Sequence, residues 1–209
     1  VDDANAEKNE MTFAGIPASP GIAFGEAFVV NVEDLPVAEG HIPAKGIDAE
    51  IEKFRGALAQ TERELKKLVR TLEEEIGEEH GKILDSHLMI LNDEIVVNET
   101  IKTIRDQKVN AAYALGLVLD KVLATFANIK DEYLKERGED IRDVRRRVIR
   151  NLMGQRSEEL TNLRKKAVVV AKTLTPSDTA GLNKKYVLAF ITDAGGSTSH
   201  AAILARSQG

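Results

Sequence analysis

From Ile47 the apolar residues recur at helical steps. Ile47, Ile51, Phe54, Leu58, Leu65, Val69, Leu72 and Ile76 are three or four apart, with seven between Leu58 and Leu65. This predicts a long amphipathic helix with a near-heptad stripe. Its other face carries pairs such as Glu62 with Lys66, which suits water. Gly77 ends it. A second helix is predicted from Lys82 to about Leu91 and a third from Asp93 to about Gln107, with Asn92-Asp93 and Asn110 as boundaries or caps. Asn110 opens a fourth helix through Leu115, Val118, Val122, Phe126 and Ile129. It is expected to bend and continue to Tyr133 and Leu134, and Gly138 is expected to interrupt it. A fifth run through Ile141, Val144, Val148 and Leu152 ends at Gly154, a C-cap glycine. Residues 47 to 154 thus predict a bundle whose short connections make antiparallel neighbours.

The flanks have a different rhythm. Ile22 to Val30 alternates loosely after the Pro20-Gly21 turn and reads as a strand, which on pattern alone belongs to an ordinary hairpin. After Gly154, Ala167 to Ala171 reads as a buried strand. Thr175-Pro176-Ser177-Asp178 reads as a helix start with Pro at the first position, and Gly181 stops that helix. Tyr186 to Ile191 is a further strand, followed by two glycines, three hydroxyl residues, His200 and a short apolar helix. Strand, helix, strand, turn and helix form an α/β pattern.

Composition narrows the class. The chain has 209 residues, 43% hydrophobic and 30% charged, with a net charge of −5. Such a chain buries a real core and has no electrostatic case for nucleic acid. Cysteine is absent, which excludes disulfides and Cys-based metal sites. The four histidines, His41, His80, His87 and His200, lack metal-ligand spacing, so no metal site is expected. No apolar run approaches the roughly 20 residues of a membrane span. Val1 to Glu10 is polar and acidic and is expected to be a disordered leader, with Met11 resembling a natural start. The expected location is the cytoplasm.

The chemistry concentrates after the last strand. Gly195 and Gly196 permit positive φ and a close backbone approach. Thr198 or Ser199 can cap the helix, whose first N–H groups lack partners and favour an anion. His200 brings a ring nitrogen that is nucleophilic near neutral pH. Taken alone, Gly-Gly-x-x-x-His is equally a turn with a capping histidine. The length of the string decides between the two. Gly195-Gly196-Ser197-Thr198-Ser199-His200-Ala201-Ala202-Ile203-Leu204-Ala205-Arg206 resembles the phosphohistidine signature of the phosphoenolpyruvate-utilising enzymes: Enzyme I of the bacterial sugar phosphotransferase system, pyruvate phosphate dikinase and phosphoenolpyruvate synthase. Ala18-Ser19-Pro20-Gly21-Ile22-Ala23-x-Gly25 resembles the opening of Enzyme I, whereas the other two begin with nucleotide-binding domains.

The resemblance carries several expectations. The fold is an α/β phosphohistidine domain, discontinuous over residues 11–35 and 155–209, with an all-helical bundle inserted over 36–154. His200 is the phosphorylated nucleophile. Gly195, Gly196, Thr198 and Ser199 shape the turn and bind phosphate. Thr179, in a string close to the active histidine in the family, is the candidate to hydrogen-bond a ring nitrogen of His200; without the family it reads equally well as a solvent-facing residue. The bundle docks the phosphocarrier protein HPr, using apolar contacts ringed by carboxylates that meet a basic patch. Glu78, Glu79, Lys82, His87, Met89, Asp93, Glu94 and Arg137 are the candidate docking residues. From its residues alone, the helix around His87 and Met89 reads as half-buried core beside a solvated edge. His80 and His87 rival His200 as phosphate carriers but lack the glycine-rich setting.

One departure stands out: Ser197 occupies a position where relatives commonly carry Arg, so any charge that Arg supplies must come from elsewhere. The resemblance implies a relay in which a C-terminal phosphoenolpyruvate-binding and dimerising domain, using Mg²⁺, phosphorylates His200, which passes the group to a histidine of HPr. That domain is not in this sequence, so the chain is expected to be a monomeric fragment, with its phosphohistidine domain cut short, that needs no cofactor of its own. Two other readings stay open. One is a regulatory relative, either the nitrogen-type enzyme or the phosphotransfer subunit of dihydroxyacetone kinase. The other is a non-catalytic module that binds HPr.

Overall fold

The computed structural model describes residues 11–30, 36–126, 132–155, 163–175, 178, 185–193 and 200–207. The stretch 1–10, expected to be a leader, lies outside them. The helical stripe forms α1 (Ile47–Ile76), with the bounds its periodicity predicts. Gly77 closes it at φ 102°, a conformation that favours glycine. A short helix, α2 (Glu78–Gly81), comes first, and the helix expected from Lys82 to Leu91 divides into a 3₁₀ turn (Lys82–Leu84) and α3 (Asp85–Leu91). α4 (Glu94–Gln107) follows an N-cap at Asp93, whose carboxylate accepts from the Ile95 and Val96 N–H groups. α5 (Ala111–Phe126) follows Asn110, whose side-chain oxygen accepts from the Tyr113 N–H.

α6 runs from Glu132 to Leu152, and here an expectation fails. Gly138 lies inside the helix and does not interrupt it. A glycine within a helix costs only about 1 kcal/mol, and the Arg137–Asp140 pair spans the position. The predicted bend between α5 and α6 falls on residues 127–131, outside the described set. Gly154 at φ 66° terminates α6 as expected. Gln155 N–H reaches the Arg150 carbonyl at 3.0 Å and Gly154 N–H the Asn151 carbonyl at 3.2 Å, a Schellman closure.

The apolar stripes of α1, α3, α4, α5 and α6 meet in one core, which includes Phe54, Leu65, Ile104, Leu119 and Val148. Each is 2% exposed or less, and burying such a side chain contributes about 1.5–3 kcal/mol. A second, smaller core belongs to a three-stranded sheet of order β1 (Glu26–Val30), β2 (Ala167–Ala171) and β3 (Val187–Thr192). All pairings are parallel. The loose strand at Ile22–Val30 is therefore no hairpin arm. It shortens to Glu26–Val30 and pairs with a strand far along the chain, beyond the whole helical run. Within β2, Ala167, Val169 and Ala171 are buried while Val168 and Val170 are half-buried, as suits the central strand.

Candidate functional site

The two segments expected to build the site leave the same edge of the sheet. Ala171, the last residue of β2, pairs with Thr192, the last of β3. Ligand sites of open parallel sheets lie beyond these carboxyl ends. After β3, Asp193 N–H still bonds the Ala171 carbonyl at 3.2 Å. Gly195, Gly196, Thr198 and Ser199 lie outside the described residues. The chain is described again from His200, the first residue of α7 (His200–Ser207). The predicted order of strand, turn and helix thus holds at both ends of the turn. The side chain of His200 is outside the described set. α7 buries Ala202, and Arg206 Nη1 donates to the Ala18 carbonyl at 3.0 Å. That bond joins the signature helix to the opening Ala18-Ser19-Pro20-Gly21 string.

The segment after β2 forms a capping box. Asp178 N–H donates to Thr175 Oγ1 at 3.2 Å, and Asp178 Oδ2 accepts the Thr175 N–H at 3.0 Å. Thr175 Oγ1–H reaches the same carboxylate at 2.8 Å. This is the reciprocal arrangement of a helix N-terminus, and it agrees with the start read from Thr175-Pro176-Ser177-Asp178. Thr179 itself lies outside the described residues.

The expected docking residues divide into outer and inner positions. Glu78, Lys82 and Glu94 are exposed, and Met89 is 74% exposed, with Ile95 equally open nearby in sequence. Asp93 is exposed and also caps α4. Arg137 is half-buried, its Nη1 3.7 Å from Asp140 Oδ2. The side chain of Glu79 is outside the described set, as is that of His80. His87 corrects the expectation, because its side chain is 0% exposed and offers a partner no surface. Its Nε2 lies 3.3 Å from Asp143 Oδ2 and 3.9 Å from Asp140 Oδ1. Helical geometry explains the split: Met89 and His87 are two residues apart, so they face different sides of α3. The burial also removes His87 as a rival phosphate carrier, since no donor reaches it.

The charged row that meets His87 is a feature the sequence reading passed over. Asp140, Asp143, Arg146 and Arg150 follow one another at three- and four-residue steps along α6, with Arg147 four residues after Asp143. Asp143 lies 4.0 Å from Arg146 and 3.4 Å from Arg147. Arg146 Nη1 is also 4.0 Å from Asp178 Oδ2, across to the capping box. Burial pushes the Arg150 guanidinium below its ordinary range; Arg147 and Arg146 push the same way, and Asp178 and Asp143 oppose them. The available signal was charge placed at the spacing of the apolar stripe.

Comparison with known proteins bears on this arrangement. Residues 14–137 match the family described as PEP-utilising enzyme, N-terminal, and residues 163–209 match PEP-utilising enzyme, mobile domain. The chain is similar to the phosphoenolpyruvate-protein phosphotransferases of Haemophilus influenzae, at 41% identity, and of a Buchnera aphidicola strain, at 37%. In each case the match covers 93% of this chain and 34% of the relative, so the chain spans about a third of their length. An NMR solution structure of an Enzyme I protein superposes with a TM-score of 0.74 at 41% identity, covering 93% of this chain and 78% of that one. The N-terminal domain of a nitrogen-type Enzyme 1 superposes at 0.64 and 25% identity, covering 93% and 79%.

Proposed function

Since this chain belongs to the phosphoenolpyruvate-utilising enzymes, we propose that it is the relay portion of an Enzyme I of the sugar phosphotransferase system. In this reading His200 exchanges a phosphoryl group with a histidine of HPr. The observation that carries it is the placement of the signature: β3 ends at the carboxyl edge of a parallel sheet, and a helix opens at His200, at the close of the glycine-rich string. We read residues 11–35 and 155–209 as one discontinuous α/β domain with the bundle, 36–154, inserted. The parallel pairing of β1 with β2 across the whole helical run supports that division. The exposed Met89 and Ile95, with Glu78, Asp93 and Glu94 around them, suit a partner that is apolar at its centre and basic at its rim.

Phosphoryl transfer asks mainly for in-line placement and charge stabilisation. The lone pair of one His200 ring nitrogen attacks phosphorus as the P–N bond to the carrier's histidine breaks. Thr179 holds the other ring nitrogen and fixes the tautomer. Gly195, Gly196, Thr198 and Ser199 bring N–H and hydroxyl donors to the phosphoryl oxygens. Loading from phosphoenolpyruvate with Mg²⁺ belongs to the remaining two thirds of the full-length relatives. Among the described residues no group of three or more His, Cys, Asp or Glu could hold a metal ion. No described helix is long and apolar enough to cross a membrane.

Phospho-HPr and phosphoenolpyruvate, offered separately to the chain, test this reading. Label is expected from phospho-HPr alone, and His200→Ala is expected to lose it by about a thousandfold or more. Label that persists in His200→Ala overturns the site. Efficient labelling by phosphoenolpyruvate overturns the relay-only role. The 41% identity to the Enzyme I structure, against 25% to the nitrogen-type domain, supports this reading over the nitrogen-type one.

A further inference from the structure

We propose that Arg146 and Asp178 are positioning residues for transfer at His200, joined through Asp143 to His87 in a buried row of charges that ties α3 to the Thr179-bearing segment. The inference rests on the phosphoryl-relay reading for its functional consequence and on geometry for the row itself.

The row starts under the docking face. α3 presents Met89 outward and buries His87, whose Nε2 meets Asp143 Oδ2 at 3.3 Å. Asp143, 3% exposed in its side chain, lies with Oδ1 4.0 Å from Arg146 Nη1. That same nitrogen is 4.0 Å from Asp178 Oδ2. Asp178 then closes the capping box with Thr175, and the next residue in the chain is Thr179. The row therefore connects the helix that presents Met89 to the helix start beside the sheet's carboxyl edge.

Two features argue for position over bulk stability. Buried ion pairs are weak stabilisers, and well-packed apolar residues replace many of them without loss. Arg146 is 7% exposed, and its Nε and Nη1 have no hydrogen-bond partner. A guanidinium so placed is costly, yet it faces both Asp143 on α6 and Asp178, and the charge of Arg150, one turn on, also acts on both carboxylates. The buried apolar residues of the bundle and of the sheet region form separate clusters, and the Arg146–Asp178 contact is a polar tie between α6 and the capping box. The box itself holds the Asp178 carboxylate against the Thr175 N–H and hydroxyl, and in this proposal that hold orients Thr179, the next residue in the sequence.

Arg146→Met, Arg146→Lys, Asp178→Asn and the Met/Asn double variant test the row in the 209-residue chain. Asn at 178 keeps an acceptor for the Thr175 N–H but removes the charge. Four quantities are read: transfer rate from phospho-HPr, HPr affinity by NMR titration, the ¹⁵N shifts of the His200 ring, and Tm. Arg146→Met and Asp178→Asn are each expected to slow transfer about tenfold, with HPr affinity within twofold of the parent and displaced His200 ring shifts. Arg146→Lys should recover most of the rate, and the double variant should be no slower than the worse single one. A parental rate with unmoved ring shifts in Asp178→Asn overturns the proposal, as does a Tm loss unaccompanied by any ring shift. Should Arg146→Met fail to fold, Asp178→Asn decides alone. Should the parent take no label, the relay reading fails, while the ring shifts still test the row.

Discussion

The helical bundle and the sheet region bury their apolar residues to different depths. In the bundle, side chains from α1, α3, α4, α5 and α6 share one core, and Phe54 and Leu65 have no exposed surface. In the sheet region β2 is the most enclosed strand. Val29 is 63% exposed and Ile191 55%, and Ile22 and Phe24, just before β1, are almost bare. The bundle is a scaffold whose presented surface is incidental to its stability. The sheet region is a thin support whose value lies at one edge, where the segments after β2 and β3 emerge together. Local stability is drawn lower where segments must serve chemistry. The described polar link between the regions, Arg146 with Asp178, matters more for that reason.

Matched core truncations are the strongest way to break this contrast. Phe54→Ala removes a ring with no exposed surface and is expected to cost about 3–5 kcal/mol, enough to unfold a marginal bundle. Val169→Ala, equally buried in β2, removes far less and is expected to cost about 2 kcal/mol. Hydrogen exchange read residue by residue distinguishes the outcomes. Phe54→Ala should accelerate exchange throughout α1, α5 and α6. Val169→Ala should accelerate it in β1 to β3 and leave the bundle near its parental rates. Equal acceleration of both regions by both variants would show one cooperative unit.

The same contrast decides what was legible. α1 was readable to the residue because a thirty-residue stripe repeats one signal many times. β2 was readable because an unbroken apolar run admits few alternatives. β1 was legible as a strand and, through the resemblance, as part of the α/β domain, but its pattern alone suggested a hairpin, because its partner lies beyond the helices and parallel pairing leaves no local turn signature. Gly138 misled because a glycine signals a break only where nothing else holds the turn. His87 misled for a different reason. Its residue type and neighbours suit a docking edge, but its partners, Asp140 and Asp143, lie about fifty residues on, in another helix. Of the site, the order of strand, turn and helix was legible from one string. The Arg206 bond to Ala18 was not, since no local pattern marks it.

Smaller changes sharpen the contrast at the bundle's surface. Asp93→Ala removes the carboxylate that accepts both the Ile95 and Val96 N–H groups, at 2.9 and 3.0 Å. Losing such a cap costs about 1 kcal/mol, so Tm should fall by several degrees. Asp93 is also a candidate docking residue, and its loss should slow HPr association more at low salt than at high. An association rate that responds equally at both salt concentrations would confine Asp93 to capping.

Met89→Ala carries the smallest stability effect and the cleanest separation. With 74% of the residue already exposed, truncation exposes little new core and should stay within about 0.5 kcal/mol of the parent. If Met89 anchors the carrier, the same change should weaken HPr binding about five- to tenfold, as loss of a central apolar contact does. Buried His87, on the same helix, predicts the reverse ordering, with stability affected before affinity. Finding Met89→Ala silent in an HPr titration would move the docking face off α3. The charged row beneath it would then be left without a partner to report on.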